Sequence, residues 1–113
     1  MIKIKLFSIL LCNALLAFTL LAEIKTPAII GNNMVLQQNH KNPIWGWDNP
    51  GQEVEVLISG QSHKGKTDKD GYWKITLNPM KASFSATTMT IKGSSVLKYT
   101  NILVGEVWVC SGQ

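Results

Sequence analysis

The sequence predicts an all-β fold, an antiparallel β-sandwich module over residues 23–104 of a 113-residue chain. Three observations predict it. Short runs alternate apolar and polar residues with a period of two, the signature of a half-buried strand. Turn sequences rich in Gly, Pro, Asp and Asn separate those runs at regular spacing, as they do in sandwiches. After residue 22 no stretch sustains the 3.6-residue period of an amphipathic helix.

Residues 1–22 differ in kind from the rest of the chain. "MIKIK" supplies two positive charges, and "LFSILLCNALLAFTLLA" a long apolar stretch ending before Glu23. This is the layout of a secretory signal peptide, which places the mature protein outside the cell or in a periplasm. Ala22 is the candidate last leader residue, although Leu20 is bulkier than the usual small residue at that place. The competing reading is an uncleaved anchor, since the stretch approaches the ~20 residues that span a bilayer. With no stop-transfer flank, cleavage is expected to leave no stable membrane anchor. Cys12 follows Leu11, where a lipoprotein signal would want a small residue.

The mature chain then reads as six or seven short strands. "MVLQQ" and "IWGW" come first, and "EVEVLI" puts Val54, Val56 and Ile58 on one face with Glu53 and Glu55 on the other. "YWKITL" turns Trp73, Ile75 and Leu77 inward and Tyr72, Lys74 and Thr76 outward. "TTMTI" opposes Thr87, Met89 and Ile91 to Thr88 and Thr90, and "VLKYTNILV" closes the set. Between them, Pro50-Gly51 suits the central positions of a type II turn. "SGQ" is a further turn, and Asp70-Gly71 is a hairpin signal because both residues tolerate positive φ. Residues 78–83 read as an inter-strand loop. A module of about 80 residues has a small core, so modest stability is expected of it alone.

"EVWVC" breaks the alternation. Val107, Trp108, Val109 and Cys110 are consecutive apolar residues, and a strand with a wet face would alternate. A continuous run fits a strand covered on both faces, as in parallel α/β sheets, and "SGQ" after it fits the strand-to-loop turn where such sheets place ligands. The pattern also fits a last sandwich strand with one exposed Trp.

Composition narrows the function classes. At 45% hydrophobic and 16% charged the chain is globular rather than disordered. All eleven basic residues are Lys, which argues against nucleic acid as a partner, because bidentate phosphate and base recognition favours Arg. Setting aside Lys3 and Lys5 leaves nine lysines against seven acids, a mildly basic surface. Cys110 is the one cysteine after the leader. It can form no internal disulfide, and no C-x-x-C spacing marks a metal site.

The blocks "GNNMVLQQN", "PIWGWDNPGQEV", "DKDGYWKITLNPM", "TIKG" and "NILVGEVWVCSGQ" together resemble the amino-terminal part of secreted sialate O-acetylesterases, from about Ile29 to Gln113. Members of that family carry a β-sandwich ahead of an SGNH-type α/β hydrolase domain. The resemblance therefore implies three regions: a signal peptide at 1–22, the sandwich at 23–104, and at 105–113 the first strand of a truncated α/β domain. In the family, Cys-Ser-Gly-Gln continues with Ser-Asn-Met, and that next serine is the nucleophile; this sequence stops one residue short of it. The implied chemistry is acyl transfer to water from an O-acetylated sialic acid or related acetylated glycan. A Ser-His-Asp set would carry it, with no metal or organic cofactor. The family's histidine and aspartate lie beyond Gln113, so the chain as it stands is expected to be inactive. A stand-alone secreted module that binds glycans or a partner protein is the alternative.

No residue of the chain is assigned a catalytic, cofactor-binding or metal-ligating role. Ser111 sits three residues before the nucleophile's place and lacks G-x-S-x-G surroundings. Gly112 reads as a turn residue and Gln113 as loop support. His40 and His63 lie in polar sequence and read as solvated surface histidines. Asp68 and Asp70 suggest a calcium loop only superficially, because the later ligands and closing Glu are missing; a hairpin tip explains them. Trp45 and Trp47, at i and i+2, share a strand face. They could stack sugar rings, but core or interdomain packing is the expectation.

Overall fold

The computed structural model describes residues 23–107. They form β1 (Val35–Gln37), β2 (Pro43–Trp47), β3 (Glu53–Ile58), β4 (Gln61–Lys66), β5 (Tyr72–Thr76), β6 (Ser83–Lys92) and β7 (Val96–Gly105), with no helix among the described residues. The all-β prediction holds. Five strands make one sheet in the order β1-β7-β6-β3-β4, and β2 and β5 make a second.

One expectation is corrected. The module is not purely antiparallel, because β1 runs parallel to β7 with Val35 opposite Leu103 and Gln37 opposite Gly105. Alternation could not have revealed this, since side chains change face every residue whichever way the neighbouring strand runs. Direction is set by the path of the chain. Lys25 bridges to Trp47 at the edge of the small sheet before the backbone crosses to the edge of the large one.

The inner faces of both sheets feed one apolar cluster. Val54, Val56 and Ile58 of β3, Met89 and Ile91 of β6, and Ile102 and Val104 of β7 meet Ile44 of β2 and Trp73 and Ile75 of β5 there. Every inward residue read from β3, and Trp73, Ile75 and Leu77 around β5, is buried as the alternation required. In β7 the alternation slips by one residue. Leu97 and Tyr99 lean on the core before the slip and Ile102 and Val104 fill it afterwards. Asn101, at φ 57°, stands at the slip, and the β6–β7 register shifts beside it, between Thr87 and Met89.

The turns follow their residues with one exception. Gly51 has φ 82° and Gln52 N–H donates to Asn49 C=O at 3.0 Å, the type II geometry expected of Pro50-Gly51. Ser59 and Gly60 both have positive φ and join β3 to β4 as a two-residue hairpin. At residues 68–71 only Gly71 turns to positive φ, and β4 and β5 belong to different sheets. That turn therefore passes the chain between sheets instead of closing a hairpin of paired strands. At the other edge of the predicted loop, Ser83 already belongs to β6.

Candidate functional site

Two outward surfaces carry the module's unusual features, one on each sheet. The first lies where β7 ends. Gln38 N–H donates to Gly105 C=O at 2.8 Å, extending the β1–β7 pairing past the last register pair. Two side chains then hold the next two residues. Gln37 Oε1 accepts from Val107 N–H at 2.9 Å, and Gln38 Nε2 donates to the Glu106 carboxylate. Gln37 is itself fixed from behind by Asn42, whose Oδ1 accepts from Gln37 N–H at 3.1 Å and whose Nδ2 donates to Gln37 C=O at 3.0 Å. Asn42 is buried, and both ends of its amide are in use. Two sequence blocks about seventy residues apart are thereby brought side by side.

Beside this rim lies a groove of about 280 Å³, walled by Val35 and Leu103 on the outward face and by Ala82 and Phe84. Phe84 stands wholly exposed, and Val35 and Val107 are also open to solvent. An exposed apolar cluster of this kind on a sheet face is a candidate interaction surface.

The second surface is the outward face of the β2–β5 sheet. Trp47 sits opposite Tyr72, and Trp45 opposite Lys74. Lys25 exchanges two backbone hydrogen bonds with Trp47, at 2.8 and 2.9 Å, which places Lys25 on the same face. Trp47 is 45% exposed and Tyr72 38%. Core packing thus fails for Trp47, while Trp45 is half-buried against the cluster's margin. The core-facing residues of β2 are Ile44 and Gly46.

Of the remaining candidates, His63 is half-buried where a solvated surface histidine was expected, and the turn holding Asp68 and Asp70 is not a hairpin tip, since it joins strands of different sheets. His40 is exposed, with Nδ1 at 3.0 Å from Gln38 C=O, and the Nε2 of half-buried His63 meets Gln61 Oε1 at 2.8 Å. Asp68 caps its own turn, Oδ1 accepting from Asp70 and Tyr72 N–H at 2.9 Å each, which is a turn role. No group of three or more His, Cys, Asp or Glu able to hold a metal occurs among the described residues. The readings of Trp108, Val109, Cys110, Ser111, Gly112 and Gln113 lie outside the described residues.

Sequence reasoning missed two buried polar clips. Asn42 is one. The other is Asp48, read only as part of a turn; it is 5% exposed and accepts from Asn49 N–H at 2.8 Å and from Ser94 N–H at 2.9 Å. Gly93 exists to admit it: a Cβ there would lie 2.3 Å from Asp48 Oδ2. The signal in each case was a single amide or carboxylate inside an otherwise turn-like stretch, which carries no information about a partner dozens of residues away.

No family model matches the chain. It is similar to the sialate O-acetylesterases of Mus musculus, at 34% identity over 95 residues, and of Homo sapiens, at 34% over 98. Each match takes in 74% of this chain but only 18% of the relative, so the chain spans under a fifth of their length. Among solved structures it resembles XAC1771, a carbohydrate acetylesterase from Xanthomonas citri. The TM-score is 0.72 and the identity 29%, covering 76% of this chain and 20% of that one. The matched share of the chain is about the size of the strand-bearing region. Over about three quarters of its length the chain is therefore similar to the sialate O-acetylesterases.

Proposed function

We propose that this chain supplies the non-catalytic amino-terminal module of an exported carbohydrate esterase, whose hydrolase domain removes O-acetyl groups from sialic acids. Homology to proteins about five times as long supports a second, larger part. The leader at 1–22 supports export, to the exterior or a periplasm. In this reading a serine beyond Gln113 attacks the acetyl carbonyl while a histidine, oriented by an aspartate, takes its proton. Fixed donors stabilise the oxyanion, the sugar hydroxyl leaves with a proton, and water then releases acetate. The reaction calls on no metal or organic cofactor.

The observation that carries the proposal is the rim at β1. Gln37 and Gln38 grip Val107 and Glu106, and so fix where the backbone leaves the module on its way to "WVCSGQ". Phe84 and the groove beside that exit are then the seat of the hydrolase domain. Burying Phe84 fully would contribute about 2 kcal/mol to the union.

Three measurements test this. The coding sequence after the Gln113 codon should continue in frame, and the longer polypeptide should release acetate from O-acetylated sialic acid while residues 1–113 release none. Turnover by the 113-residue chain that disappears in Ser111→Ala would place the chemistry here and overturn the reading. Phe84→Ser should lower the Tm of the longer protein by a few degrees at most, since the shift is already only ~2–4 °C per kcal/mol at about 150–250 residues and shrinks with length, and leave the module's own Tm unchanged. Equal effects on both would refute the docking role.

A further inference from the structure

We propose that the outward face of the β2–β5 sheet is a binding surface for carboxylate-bearing glycans. The register places three rows on it: Lys25 with Trp47 and Tyr72, Trp45 with Lys74, and Pro43 with Thr76. Trp47 spends both backbone hydrogen-bonding groups on Lys25. Its pairing with Tyr72 is therefore the non-hydrogen-bonded kind, in which facing side chains stand closest. The result is an open aromatic pair with a third ring, Trp45, one row away.

Charge decides the occupant. Two lysines occupy this face and no acid takes a register position on it. Among the described residues the one ion pair is Lys64–Glu53, on β4 and β3. The nearest acids are exposed Glu23, two residues before Lys25 on the same side of the leading segment, and Asp68 and Asp70 in the turn before β5, where Asp68 is committed to the backbone; none of them adjoins Lys74 in the register. An apolar protein partner would have to strip water from Lys25 and Lys74 and bring no counter-charge in return, a net desolvation penalty. A carboxylated sugar instead offers its apolar C–H face to the rings, its carboxylate to a lysine, and hydroxyls to the Tyr72 phenol. This face points away from the core on the small sheet, whereas the Phe84 groove lies on the large one, so both can be occupied together.

The test is indole fluorescence titration of the full chain with 3′-sialyllactose, its carboxyl methyl ester, and lactose. None carries an O-acetyl group, so the result is independent of hydrolysis. Saturable binding of sialyllactose is expected, weakened about tenfold in the methyl ester and in lactose, as loss of one charged contact predicts. Trp47→Ala and Tyr72→Ala should each lose about tenfold or more, Lys74→Gln about fivefold, and Phe84→Ala nothing. Trp47 and Tyr72 are partly exposed, so these variants should shift the urea midpoint only modestly, and affinities are compared well below each variant's own midpoint. No saturation, equal affinity for lactose and sialyllactose, or unchanged binding in Trp47→Ala and Lys74→Gln would each overturn the proposal. So would protection of Trp47 from oxidation in the longer esterase without ligand, which would show the face covered by protein.

Discussion

Gly46→Ala should destabilise the module by about 3 kcal/mol, because the added methyl has nowhere to go. A Cβ at Gly46 would lie 1.9 Å from the Lys25 carbonyl oxygen and 3.0 Å from Trp73 Cζ2. The obstructing oxygen is backbone and already accepts from Trp47 N–H at 2.9 Å, while Lys25 N–H donates to Trp47 C=O at 2.8 Å. To relieve the clash that strand must retreat by about 1 Å, which breaks both bonds, each worth roughly 1 kcal/mol net. Crowding Trp73, buried and with its indole N–H unpartnered, adds overpacking of about 1–3 kcal/mol. At ~4–8 °C per kcal/mol the melting temperature should fall by roughly 15 °C. Thermal and urea unfolding followed by indole fluorescence would measure it. Gly31→Ala serves as the control, since its Cβ would meet no atom within 4 Å, and its change should stay within ~0.5 kcal/mol. A loss below about 1 kcal/mol for Gly46→Ala would refute the reasoning, by showing that the Lys25 strand moves aside freely.

Asp48→Ala should cost about 2–4 kcal/mol in urea unfolding, since it strands the Asn49 and Ser94 N–H groups, and Asp48→Asn about half as much because one oxygen still accepts. Asn42→Ala should cost about 1–3 kcal/mol and speed amide exchange at Gln37 more than at Val56, because it frees the back of β1. Lys64→Gln should change stability by less than ~0.5 kcal/mol at any salt concentration, because the 3.7 Å pair with Glu53 leaves both side chains over 60% exposed.

Local structure was legible in the residues alone. Strict alternation in "EVEVLI" and "YWKITL" identified the buried faces of β3 and β5 residue by residue, because face and register parity are properties of one strand. Pro50-Gly51 likewise specified its turn through the φ angles those two residues accept. The slip at Asn101, the direction of β1 beside β7, and the sheet change after β4 were decided only in three dimensions. A period of two is the same for parallel and antiparallel neighbours, and a tight turn does not say whether the strands it joins will pair. The candidate surfaces divide in the same way. That Trp45 and Trp47 share a face was legible in "IWGW", but the core side of β2 went to Ile44 and Gly46, since the Lys25 backbone passes too close to admit a side chain at 46. The clasp of Gln37 and Gln38 on Val107 and Glu106 was invisible for a related reason. A carboxamide's partner is chosen by whatever distant segment the fold brings within 3 Å, and no local pattern encodes that distance.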